Sequence, residues 1–125
     1  MENIFIEKTA NSPKVILDAE KGLIEFEGKS YPENTLKFFK PLIKWFEDYF
    51  NGNAQENTTV NIKFIYFNSA TNQALFDIFD IIQDGTYNEL EINWFYSSDG
   101  IDGMDDFEDY SDEFQDLNIK AIAYS

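Results

Sequence analysis

Apolar residues recur along this chain with two different spacings, and the spacing switches at a few defined points. Short runs of β type occupy Asn3 to Glu7, Lys14 to Leu17 and Leu23 to Glu27, divided by turn signals at Asn11-Ser12-Pro13 and Lys21-Gly22. They predict a small antiparallel meander. The period then lengthens: Leu36, Phe39, Leu42, Ile43, Phe46, Tyr49 and Phe50 stand three or four apart, beginning after Pro32-Glu33-Asn34 and ending at Asn51-Gly52. This is the apolar stripe of a first helix. Pro41 falls inside it; because proline lacks an N–H and crowds the carbonyl of Lys37, a kink or a later helix start is expected.

Alternation returns with Val60, Ile62, Phe64 and Tyr66 set against Asn61, Lys63, Ile65 and Phe67. This strand is half-polar at its start and apolar on both faces at its end, so its far end should be covered on both sides and the strand should be central in its sheet. Asn68-Ser69-Ala70-Thr71 then opens a second helix with Leu75, Ile78, Phe79 and Ile82 facing inward, stopping near Asp84-Gly85. Another strand carries Leu90, Ile92, Trp94 and Tyr96 on one face. The acidic stretch Asp99 to Asp116 contains Met104, Phe107, Tyr110 and Phe114 at helical spacing, which predicts a short third helix; Ile119 to Tyr124 can close the sheet. Helices linking successive strands by short connections imply parallel crossovers. The expected fold is α/β: one domain over residues 1–125, with a mixed sheet of about five to six strands, an N-terminal antiparallel meander and then α-β-α-β-α-β.

Composition narrows the chemistry. Within 125 residues, 43% are hydrophobic and 18% aromatic, enough to bury a core, whereas a disordered chain of this charge would be poor in aromatics. Asp and Glu number 24 against nine basic residues, and the net charge of −15 repels phosphate backbones and anionic lipid surfaces. Neither nucleic acid nor membrane is an expected partner. The chain has no Cys, His or Arg, which removes thiolate and imidazole catalysis, the usual zinc ligands and the bidentate phosphate clamp. A non-enzyme is favoured. The amino-terminal Met1-Glu2-Asn3-Ile4 lacks the regions of a signal peptide, and no apolar run approaches membrane-spanning length, so a cytoplasmic protein is expected.

Three features could carry function. Tyr66-Phe67-Asn68-Ser69-Ala70-Thr71 places a hydroxyl where a strand ends and a helix begins, a position where sites collect in open α/β sheets. Asn68 or Ser69 reads there as a helix N-cap. Ser69 also reads as a modification site, since a phosphate there would meet helix N-terminal amides, and the two readings are compatible. The acids Asp77, Asp80 and Asp84 and those from Asp102 to Glu113 read as a solvated or partner-facing surface. They do not fit a calcium loop, because from Asp99 the third position is Ile101 and the twelfth is Tyr110. With no Gly-rich phosphate loop either, no metal or cofactor is expected. Phe38 and Trp45, off the main stripe of the first helix, read either as a widening of its buried face or as an exposed recognition patch, and burial is favoured because sheet-packed helices bury wide stripes.

Five segments in order then point to a family. Ser30-Tyr31-Pro32-Glu33-Asn34, Ile43-Lys44-Trp45, Tyr66-Phe67-Asn68-Ser69, Asp77-Ile78-Phe79-Asp80 and Asn93-Trp94-Phe95-Tyr96 together resemble the SiaC family of bacterial regulatory phosphoproteins. The resemblance implies a fold like that of anti-sigma-factor antagonists (STAS-like) and a non-enzymatic role in a partner-switching module. In such a module a Ser/Thr kinase of the histidine-kinase-like ATPase fold phosphorylates the protein and a PP2C-type phosphatase reverses this. The unphosphorylated form binds and activates a diguanylate cyclase, promoting cyclic-di-GMP signalling and biofilm formation. By the same resemblance Ser69 is the phosphoacceptor, with Thr71 as the fallback, and Tyr31, Pro32, Glu33, Asn34, Asn68, Ser69, Asn93 and Tyr96 contact partners. Ser stands where family members have Thr, Ala70 replaces a hydroxyl residue common after the acceptor, and Ser97 stands where an acid often follows. The alternative reading is an acidic inhibitor or immunity-type protein that masks a basic surface, indifferent to Ser69.

Overall fold

The structure, a computed structural model, describes residues 1–98 and 102–124. Along the chain run β1 (Ile4–Ile6), β2 (Lys14–Asp18), β3 (Leu23–Ser30), α1 (Thr35–Tyr49), β4 (Asn57–Phe67), α2 (Ser69–Asp84), β5 (Glu89–Ser97), α3 (Asp102–Glu113), a 3-10 turn (Gln115–Leu117) and β6 (Lys120–Tyr124). The six strands form one sheet in sequence order, β1-β2-β3-β4-β5-β6. β1, β2 and β3 pair antiparallel as the predicted meander, and β3 to β6 pair in parallel because a helix returns the chain to the same end each time. The mixed α/β sheet is therefore as the sequence predicts, with β4 in its interior. Asp99, Gly100 and Ile101, where the acidic segment begins, lie outside the described residues.

The helices share one face of the sheet. Register pairs Phe26 with Ile62 and Ile62 with Trp94, which sets these side chains in one row across β3, β4 and β5. Phe39 and Phe46 of α1 stack on Phe26 at 6.3 Å. At the other end, Phe79 of α2 and Tyr110 of α3 meet Trp94 at 6.4 and 4.7 Å. Tight aromatic packing of this kind stabilises beyond the area it buries. The opposite face carries the row Phe5, Ile16, Glu25, Asn61, Asn93 and Lys120. Among the described residues no helix covers it, which explains why parallel strands here alternate apolar and polar instead of being apolar throughout. Its polar groups pair with one another: Asn93 donates to Asn61 at 3.0 Å, Lys120 bonds Glu91 at 3.0 Å, and Lys63 lies over the rings of Phe95 and Tyr124.

α1 differs from the expectation at two points. It runs through Pro41 without a later start, its N-cap being Asn34, whose Oδ1 accepts from the Lys37 N–H at 3.0 Å. Leu36 is not buried: it is 77% exposed, because at 100° per residue it falls off the arc that Phe39, Leu42, Phe46 and Tyr49 turn toward the sheet. Trp45 is buried as read, its Nε1 donating to the Glu2 carbonyl at 2.9 Å, and Phe38 is half-buried.

The end of β4 also departs from its reading. Register runs Gly28 to Phe64 and then Lys29 to Tyr66, so Ile65 is an extra residue in β4, opposite a glycine at φ 112°. One inserted residue breaks the alternation of a strand and re-aims the side chains beyond it. Ile65 and Tyr66 consequently both face solvent, at 66% and 53% exposure, while Phe67 turns back to contact Phe64 and Trp94. The strand end is not covered on both sides.

Candidate functional site

That bulge aims the chain at the carboxyl edge of the sheet, where the helices begin. The Asn68 N–H donates to the Ser30 carbonyl at 3.0 Å, which fastens the end of β4 to the end of β3. Asn68 is extended (φ −83°, ψ 175°) and its Oδ1 accepts from the Thr71 N–H at 2.8 Å, so Asn68, not Ser69, is the N-cap of α2. Ser69 is the first helical residue. It is exposed, and among the described residues its hydroxyl has no hydrogen-bond partner. No acid lies in the first turn of α2, so a negative group on Ser69 would meet free amides and the positive helix end without local repulsion.

Thr71 is fully buried. Its hydroxyl donates to the Ser30 carbonyl at 3.1 Å and lies 2.9 Å from Ser30 Oγ, so it is structural and closed to an enzyme acting on the folded chain.

Beside Ser69 the edge is aromatic and polar. Tyr31, 41% exposed, meets Tyr66 edge-to-face at 5.9 Å, and its hydroxyl donates to the Ala10 carbonyl at 3.1 Å. Pro32 and Glu33 lead to the α1 cap Asn34, with the Pro32 carbonyl accepting from Thr35 Oγ1 at 3.3 Å. Tyr31, Pro32, Glu33, Asn34, Asn68 and Ser69 thus come together on one edge, and Tyr66 joins them. Its exposure was hidden in the sequence because the alternation of β4 puts it in line with core residues. Asn93 does not join: it lies in the middle of the open sheet face, 8% exposed, bonded to Asn61 and Glu91. Tyr96, at the end of β5, is half-buried and turned to the start of α3, where a Cβ on Gly103 would touch its own Cβ.

Among the described residues no group of three acids converges as a set of metal ligands. No helix there is long and apolar enough to cross a membrane.

An open-faced α/β domain that presents a hydroxyl at a helix start beside exposed aromatic side chains has the surface of a binding module. Its family is shown by comparison. Residues 6–124 match the model of the SiaC family regulatory phosphoproteins, and the chain belongs to that family. It is a regulatory protein and not itself an enzyme. A relative, an uncharacterized protein of Pseudomonas aeruginosa strain UCBPP-PA14, is 26% identical over 98 residues, 77% of each chain. Among solved structures, SiaC of Pseudomonas aeruginosa superimposes with a TM-score of 0.77 at 23% identity, over 99% of this chain and 100% of that one. A chain in the crystal structure of the diguanylate cyclase SiaD in complex with its activator SiaC, also from Pseudomonas aeruginosa, gives 0.85 at 22% identity, over 97% and 99%. At these identities the likeness establishes the fold.

Proposed function

We infer that this protein is the switched component of a cytoplasmic partner-switching module, with Ser69 as its phosphoacceptor. The unphosphorylated form binds and activates a target such as a diguanylate cyclase. A Ser/Thr kinase of the histidine-kinase-like ATPase fold modifies Ser69, and a PP2C-type phosphatase restores it. Membership of a family of regulatory phosphoproteins supports this reading, as does the SiaC chain found with a diguanylate cyclase. The observation that carries it is the division of labour at the start of α2: Asn68 caps the helix, Thr71 is buried, and Ser69 alone of the three presents a hydroxyl to solvent. The aromatic and polar edge of Tyr31, Pro32, Glu33, Asn34 and Tyr66 is the surface on which the partner would sit around that hydroxyl.

A phosphate on Ser69 adds about −1.5 to −2 charges. The fold tolerates this because the helix end favours an anion, whereas a partner that must bury the dianion without cations is disfavoured. Phosphopeptide mass spectrometry of the protein purified from its own cells tests the assignment. Phosphate on Ser69 is expected; phosphate confined to other residues would overturn it.

A further inference from the structure

We propose that the outward stripe of α1 is a docking surface for an acidic amphipathic helix of a partner protein, an inference that rests on the reading of this chain as a binding module. Leu36, Lys40, Pro41, Ile43, Lys44 and Glu47 line a shallow groove of about 510 Å³ along the outside of the helix. Their spacing of three and four residues places them in one row. Leu36, 77% exposed, is the most exposed large apolar side chain among the described residues.

The charge of this row is opposite to that of the molecule. The chain carries −15, yet residues 34–46 contain no acid and hold Lys37, Lys40 and Lys44, three of its nine lysines. Lys44 pairs with Asp48 at 3.0 Å, while among the described residues Lys37 and Lys40 make no ion pair. Beyond Glu47 the sign reverses, since the next hollow is lined by Glu47, Asp80 and Asp84. Carboxylates of a partner are therefore accepted only over the first three turns of α1. A helix with leucines toward Leu36, Pro41 and Ile43 and acids toward the lysines fits, as in other helix-in-groove recognition.

A second copy does not fit. Two chains of −15 repel, and the acidic helix α3 has already buried its apolar side through Tyr110, with Phe114 just past its end buried beside it. A lipid surface or a nucleic-acid rod spreads its charge beyond the lysine-bearing turns and onto Glu47, Asp80 and Asp84, whereas a single helix can present its acids to those turns alone.

The test uses displayed helical peptides of about 18 residues, or five turns, with leucines fixed on one stripe and the other positions varied among Glu, Lys, Gln and Ala. Selection on the unphosphorylated full-length protein is expected to retain Glu-rich peptides. Their affinity should fall by about tenfold or more, or 1.4 kcal/mol, for Leu36→Asp and for Lys40→Glu with Lys44→Glu. Both variants alter exposed residues, and circular dichroism checks that they fold. Exchanging the peptide's glutamates for lysines should restore binding to the charge-reversed variant. Lys-rich peptides, an empty selection, or affinities that ignore both variants would overturn the proposal. Phosphorylation of Ser69 is assayed separately: α1-dependent binding that is indifferent to that phosphate supports the docking surface and counts against the switch, whereas a working switch with α1-independent binding overturns the docking surface alone.

Discussion

Ser30 Oγ and Thr71 Oγ1 lie 2.9 Å apart in the interior although 41 residues separate them. The Thr71 proton goes to the Ser30 carbonyl at 3.1 Å, so the Ser30 proton points at Thr71 Oγ1. The same carbonyl accepts the Asn68 N–H. Three bonds therefore lock the end of β3 to the first turn of α2 and fix where Ser69 emerges. Thr71→Val keeps the shape but leaves the Ser30 hydroxyl buried without an acceptor, and should cost about 1 to 3 kcal/mol in urea denaturation. The double variant with Ser30→Ala should cost less than the sum of the singles, because the two residues share one bond.

Cap and modification site are separate residues. Asn68→Ala, which removes the acceptor for the Thr71 N–H, should lower stability by about 0.5 to 2 kcal/mol. Ser69→Ala removes an exposed hydroxyl that has no hydrogen-bond partner among the described residues, and should fall within about 0.5 kcal/mol of wild type, as surface substitutions do. Thermal melts of both variants check this. The result makes Ser69→Ala a clean probe of function.

Tyr110 predicts the alkaline limb of stability. Burial, with the Asp106 and Asp109 carboxylates adding to it, pushes its phenol well above the ordinary tyrosine range, and the hydroxyl donates to Asn72 Oδ1 at 2.8 Å. A raised pKa means that the folded state holds the proton after the unfolded state releases it. Stability from this group is therefore full below about pH 10 and lost as pH rises above it. Tyr110→Phe should cost about 1 kcal/mol near neutrality through the lost bond, and should flatten the loss between about pH 8 and pH 11. Urea midpoints of the two proteins at both pH values measure the difference.

Element order and strand pairing were legible because the apolar period changes where the elements change. The meander, the helix over Thr35–Tyr49 and the helix of the acidic segment are all marked by spacing. The junction at Asn68-Ser69 was legible too, since few residue types cap a helix after an apolar strand. What escaped was geometry without a compositional mark. Nothing in Phe64-Ile65-Tyr66-Phe67 announces an extra residue, so Ile65 and Tyr66 read as core when they face solvent. Leu36 was misread for a related reason: a spacing of three residues placed it in the stripe, but the buried arc is set by where the sheet lies. Asn93 carries a family-like motif, yet pairing in the open sheet face holds it away from Ser69.

The central claim is that a phosphate on Ser69 controls partner binding, and affinity tests it most directly. Wild type, Ser69→Ala and protein phosphorylated on Ser69 are titrated side by side, by calorimetry, into a diguanylate cyclase from the same cells. Wild type and Ser69→Ala should bind alike, and the phosphorylated form should bind at least about tenfold more weakly, a change of 1.4 kcal/mol. Equal affinity for all three would place the switch somewhere other than Ser69.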